Sequence, residues 1–145
     1  MNAKEQVMHI EEEAAFNSVM QFLHCYEKKN IEGCLSALTN SRPLMLLGTN
    51  EGEVFRSVEE VRTAFSRDFG CMNDIRWGEP RHVHVAASDT LASVIIELPI
   101  SYQTAGKNEK TLFRHALTLH KEDGQWNICG GMASVPFSAG TYSFT

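Results

Sequence analysis

The feature that most constrains this chain lies near its C-terminus, where Thr111 to His120 and Gln125 to Ser134, both rich in β-compatible residues, flank Asp123-Gly124. A two-residue type I′ turn needs positive φ at both central positions, and Asp-Gly provides it at low cost. The dipeptide therefore predicts a long β-hairpin of fixed register. With Glu122 opposite Gln125, strict alternation sets Lys121 against Trp126, Leu119 against Ile128, Leu117 against Gly130 and His115 against Met132. One face then carries Phe113, His115, Leu117, Leu119, Ile128, Gly130 and Met132. A histidine on such a face is either a satisfied core residue or part of a pocket. Gly130 also has two readings: it leaves room for a ligand opposite Leu117, or it marks a bulge together with Gly131.

Upstream, Ala15, Phe16, Val19, Phe22, Leu23 and Tyr26 recur at helical spacing, which predicts a long first helix within Glu5 to Lys29. Asn30 is placed to cap a short second helix, and Pro43 precedes an apolar run, Leu44 to Leu47, that reads as a buried strand. A turn at Gly48 to Gly52 leads to a brief strand at Val54-Phe55. Ser57-Val58-Glu59-Glu60 has the form of a capping box, and the third helix that follows carries Val58, Val61, Ala64, Phe65 and Phe69, with Gly70 as a left-handed stop. Strands are expected over Ile75 to Ala87 and Thr90 to Gln103. Three helices followed by antiparallel strands, with no βαβ alternation, indicate an α+β fold in which a curved sheet wraps the first helix.

At 145 residues the chain fits one domain spanning 1–145, with 136–145 as a flexible or docked tail. Cys25, Cys34, Cys71 and Cys129 form no CxxC pair, so reduced thiols in a cytoplasmic protein is the economical reading. The N-terminus lacks the pattern of a signal or transit peptide, and no apolar run is long enough to span a bilayer. A net charge of −5 with scattered Lys and Arg argues against nucleic acid as a partner.

Several motifs in order carry a resemblance: Asn30-Ile31-Glu32-Gly33 after the first helix, Phe55 to Arg62 entering the third, and Lys121 to Ile128. On these the chain resembles the SnoaL-like branch of the nuclear transport factor 2-like superfamily. Pro80 to Val85 and Ala133 to Pro136 are similar to the association domain of calcium/calmodulin-dependent kinase II. The resemblance implies a cone-shaped α+β half-barrel with a pocket between helices and concave sheet, and a homodimer packed through the outer sheet face. It fixes no activity, since this superfold hosts isomerases, dehydratases, cyclases and assembly modules. Ketosteroid isomerase relatives place a carboxylate base and a tyrosine near the positions of Leu47 and Phe22, and neither residue can do that chemistry. Where relatives carry histidines after the tryptophan, this chain has Gly130-Gly131-Met132.

Candidate pocket residues depend on how the strand from Thr90 to Gln103 is oriented. A turn at Ser88-Asp89 with Ala87 opposite Thr90 sets His84 near Ser93, His82 near Ile95 and Pro80 near Glu97. The other face holds Val83, Val85, Ala92, Val94, Ile96, Leu98 and Ile100. Taken alone, an all-apolar face turns inward. If the sheet is buried on both sides, with the apolar face in a dimer interface, then His82, His84, Glu97 and His115 line the cone. The related association domains keep an inward charge near the place of Glu97, which favours that second orientation.

On it, Glu97 is a candidate base with His115 or His84 as proton donor, and Tyr26, Phe22, Leu47, Phe65, Leu117, Gly130 and Met132 are candidate ligand contacts. A structural pairing of Glu97 with Arg114 or Arg81 competes with that role. His82-x-His84 beside Glu97 has metal-ligand chemistry but no supporting spacing, so neither metal nor cofactor is expected. Trp77 and Trp126 read as anchors, and Arg56 and Arg62 as a solvated face or an anion contact. Three functions follow: a dimeric module binding an unknown hydrophobic small molecule, an acid/base isomerase, dehydratase or cyclase on a hydrophobic carbonyl or hydroxylated compound, or an association module.

Overall fold

The structure, a computed structural model, describes residues 3–138, with side chains from Ile10 onward. The end of the expected tail, 139–145, lies outside the described residues. Helix α1 (Ala3–Glu27) is followed by α2 (Ile31–Ser36), β1 (Met45–Leu47), β2 (Val54–Phe55), α3 (Val58–Cys71), β3 (Asn73–Trp77), β4 (His82–Ala87), β5 (Leu91–Thr104), β6 (Lys107–Glu122) and β7 (Gln125–Ser134). The strands form one sheet in the order β2-β1-β7-β6-β5-β3, with β4 also on β5. All pairs are antiparallel except β1 with β7. This is the expected α+β cone.

Helix boundaries follow local chemistry. Lys29 at φ 58 ends α1 in a left-handed turn, and the Asn30 side chain accepts from Gly33 N–H to start α2. Ser57 Oγ accepts from Glu60 N–H at the head of α3, whose stop is Met72 in an extended conformation. Gly70 is therefore inside the helix and is not its left-handed terminator. The expected strand Ile75 to Ala87 is broken in two. Gly78 N–H donates to the Pro99 carbonyl and Arg81 N–H to Glu97, while Pro80 between them has no N–H to give. A Cβ at Gly78 would lie 2.5 Å from Pro99 Cγ, so only glycine permits this approach. The Leu44 to Leu47 run is less buried than expected. Leu44 is in the core, but Met45 is exposed and Leu46 and Leu47 are half-buried, because one side of β1 opens on a cavity.

The Asp123-Gly124 turn has φ 50 and 80, as a type I′ turn requires. A second such turn, Ala105-Gly106 at φ 50 and 75, joins β5 to β6 and extends both strands beyond the expected ends. The β6–β7 register holds from Glu122↔Gln125 to Leu119↔Ile128, then shifts by one at a bulge. Beyond it Leu117 faces Gly131 rather than Gly130, and His115 faces Ala133 rather than Met132. Gly131, at φ 145, lies so close to β6 that a Cβ would be 2.3 Å from the Ala116 carbonyl.

Ala92, Val94, Ile96, Leu98 and Ile100 of β5 are all buried, and the first four join Ala15, Val19, Phe22 and Leu23 of α1 in the core. The apolar face thus points inward. The alternative orientation, with Glu97 in the cone, is overturned by ordinary hydrophobic burial: only this face can lose water against α1. Register on β4 moves by two from the expectation, with Ala87 opposite Ala92 and His82 opposite Glu97, so the faces are unchanged.

Candidate functional site

A cavity of about 300 Å³ opens between α1, α3, the β1–β2 turn and the sheet. From α1 come Phe22 and Tyr26, one helical turn apart on the stripe that begins with Ala15 and Val19. From α3 come Val61, Phe65 and Asp68, at helical spacing on one side. The sheet supplies Ile100, Phe113, His115 and Leu117, with Trp77 beside them, and Leu47, Met132 and Ala133 border the cavity from β1 and β7. Of the expected ligand contacts, Phe22, Tyr26, Leu47, Phe65, Leu117 and Met132 line it. Gly130 does not, because the bulge turns it toward the Met45 carbonyl, 3.5 Å from where its Cβ would be.

The walls are aromatic. Tyr26 meets Phe65 edge-on with ring centres 5.0 Å apart, and lies 4.9 Å from Phe69 and 6.2 Å from Trp77. Trp77 continues to His115 at 5.6 Å, and His115 stacks on Phe113 at 5.8 Å. Within this lining the Tyr26 hydroxyl donates to Asp68 Oδ2 at 3.0 Å and approaches Met72 Sδ at 3.7 Å. Burial pushes the Tyr26 hydroxyl well above its ordinary range, with the charge of Asp68 adding to the shift. Asp68 is also raised by burial, against the hydrogen bond from Tyr26, which lowers it. Burial takes His115 down to about 4, so its imidazole is neutral near pH 7. His115 Nε2 and Trp77 Nε1 are both shielded from solvent with no hydrogen-bond partner.

Glu97 and His84, expected beside His115, are not in this cavity. Ile96 is the residue paired with His115, so its neighbour Glu97 points through the opposite face of the sheet. There its carboxylate is sheltered by Arg114 Nε at 2.6 Å, Arg81 Nε at 3.9 Å and His82 Nε2 at 3.8 Å. The hydrogen bond from Arg114 holds Glu97 below the usual carboxylate range, against the effect of its burial. A raised-pKa base is thus replaced by a structural ion-pair cluster. His84 pairs with Ile95 two residues along, and among the described residues no three His, Cys, Asp or Glu groups gather to hold a metal. Arg62 is engaged by Glu32 and Glu59.

The residues that sequence reasoning missed are Asp68 and Glu53. Asp68 had a signal: it stands three residues after Phe65 and seven after Val61, an acid on an apolar stripe. Glu53 had none, since it reaches the cavity from the turn before β2.

A half-barrel closed over a conical, aromatic pocket defines an NTF2-like domain. Residues 17–138 match the SnoaL-like domain, and the chain belongs to that family. Among solved structures it is similar to a protein provisionally called a dehydratase of the NTF2-like family from Streptomyces avermitilis, at 15% identity and TM-score 0.80 over 90% of this chain and 99% of that one. A ketosteroid isomerase-like protein from Erwinia carotovora atroseptica matches at 16% identity and TM-score 0.75, covering 88% and 98%. A protein provisionally called a calcium/calmodulin-dependent protein kinase II association domain, from Xanthomonas campestris, matches at 19% and 0.71, covering 87% and 86%. No functionally curated protein matches the chain. No helix among the described residues is long and apolar enough to cross a membrane.

Proposed function

We propose that the protein binds a small, largely apolar molecule in the cone. The observation that carries this reading is the cavity itself: about 300 Å³, walled by aromatic and aliphatic side chains, with the hydrogen-bonded Tyr26–Asp68 pair in its lining. An acid/base enzyme is the weaker reading. It required Glu97 as base beside His115, and Glu97 lies behind the sheet. Of the two acids in the lining, Asp68 accepts a hydrogen bond from Tyr26 on one oxygen, and Glu53 Oε1 accepts from Asn50. Names of dehydratase-like and isomerase-like neighbours at this identity speak for the fold alone.

The same proposal includes a homodimer through the outer sheet face, where Leu91 and Ile95 of β5 are 47% and 49% exposed. Ligand binding is tested by titrating 2-naphthol against intrinsic tryptophan fluorescence. Saturable binding is expected, weakened about tenfold or more by Ala133→Leu, which fills the floor opposite His115. Non-saturating partitioning, indifferent to that substitution in a protein with an unchanged circular dichroism spectrum, would reject the cone as a site.

A further inference from the structure

The charge inside the cone has one sign. Asp68 and Glu53 reach its lining, His115 is neutral near pH 7, and neither lysine nor arginine is among the described lining residues. An anionic guest would meet two carboxylates with no cation to offset them, while a cation would find a carboxylate already short of water. Tyr26 is the hydrogen-bond donor that reaches Asp68, and it occupies Oδ2. The rings of Tyr26 and Phe65 stand edge to face beside that carboxylate, which is the composition of a site for an ammonium group: negative charge plus π-faces.

The approach has the same sign. A second, open groove shares Asn50, Glu53, Phe55 and Asp68 with the cone and adds Glu59, itself paired with Arg62, and the capping residue Glu60, against Arg67. Such a groove favours arrival of cations over anions.

The guest's other end meets rings rather than polar atoms. His115 Nε2 and Trp77 Nε1 have almost no accessible surface, so the walls formed by Trp77, Phe113 and His115 suit an apolar ring. Trp77 stands between the two ends, 6.2 Å from the Tyr26 ring and 5.6 Å from that of His115. That separation suits one aromatic ring with a short aliphatic arm.

We propose that the cone selects an arylalkylamine, its ammonium held by Asp68 beside Tyr26 and Phe65 and its ring packed against Trp77 and His115. The proposal rests on the reading of the cone as a ligand site, and its test separates the two. Four probes of one size are titrated calorimetrically at pH 7.5: tyramine, phenethylamine, 4-ethylphenol and 4-hydroxyphenylacetate. Tyramine is expected to bind about tenfold more tightly than 4-ethylphenol, which lacks the cation, and 4-hydroxyphenylacetate more weakly than both. Phenethylamine, which keeps the cation, is expected to bind about as tightly as tyramine.

Asp68→Asn should erase the advantage of tyramine over 4-ethylphenol. The wild-type series decides the matter even if that variant fails to fold. Equal binding of 4-ethylphenol and tyramine, or a preference for the carboxylate, overturns the proposal. Phenethylamine binding no more tightly than 4-ethylphenol overturns it as well. If none of the four binds while 2-naphthol still saturates, the amine proposal fails and the cone remains a site. If 2-naphthol fails as well, the underlying reading fails with it.

Discussion

His115 is a titratable side chain held neutral by its surroundings: Trp77 at its edge, Phe113 stacked on it, and no hydrogen bond to Nε2. Its folded pKa of about 4 lies below the ordinary 6.5, so between those values the unfolded chain binds the extra proton. Stability tied to the neutral ring is therefore complete above pH 6.5 and is lost as pH falls toward 4, by up to about 3 kcal/mol. Asp68 works in the other direction. Its raised pKa makes the folded state the better proton acceptor, so it offsets part of that loss above its unfolded value. Urea melts between pH 7 and pH 4 should show a smaller pH dependence in His115→Gln than in the wild type; identical slopes would place the His115 ring in contact with water. At this scale much was legible. Tyr26, Phe22, Phe65 and Leu117 could be read as cavity residues because helical and strand periods sort side chains by face, whereas Met132 borders the cavity although the bulge sets it opposite Ala116. Asp68 was missed because a polar residue on an apolar stripe is easily discounted as a helix end.

The capping box at the head of α3 positions the whole Val61, Phe65, Asp68 stripe. Ser57 Oγ accepts from Glu60 N–H at 3.2 Å, and Glu60 in turn accepts from Arg56 N–H at 3.2 Å. Ser57→Ala should cost about 1 kcal/mol in thermal or denaturant unfolding, and no change would show that water caps the helix equally well. In β7 the two adjacent glycines should respond differently. Gly131→Ala meets a carbonyl at 2.3 Å in a backbone that side chains rarely adopt, and should destabilise by roughly 2 kcal/mol or more. Gly130→Ala meets only the Met45 carbonyl at 3.5 Å, an ordinary contact, and should cost much less in the same melt.

That contrast also explains which registers were legible. The β4–β5 pairing differs from expectation by two residues, an even shift that leaves every side chain on its face. The bulge after Ile128 shifts β7 by one and moves Gly131 and Ala133 to the cavity side, which alternation alone cannot anticipate. The Gly-Gly pair was the available clue.

Across the whole molecule, orientation of the sheet was the hardest matter to read. The two faces of β5 offered an all-apolar set and a set with Glu97, and hydrophobic burial alone gave the right answer. The error came from allowing a charge seen in related domains to outweigh the desolvation of five aliphatic side chains. With Glu97 paired to Arg114 on the outside, that face is a mixed surface, with exposed Ile95 two residues before a sheltered carboxylate. If the proposed dimer forms there, sedimentation velocity should report a dimer at micromolar protein, and Ile95→Asp should shift it to monomer without altering the circular dichroism spectrum. A wild-type monomer would remove the dimer and leave the cone untouched.

The long β5–β6 arm has a practical consequence as well. Its tip, Ala105-Gly106, is exposed, and a Cβ at Gly106 would have nothing within 4 Å. Such a tip is where an inserted peptide or a reporter dye disturbs least. A label there offers a handle for immobilising the protein on a sensor surface.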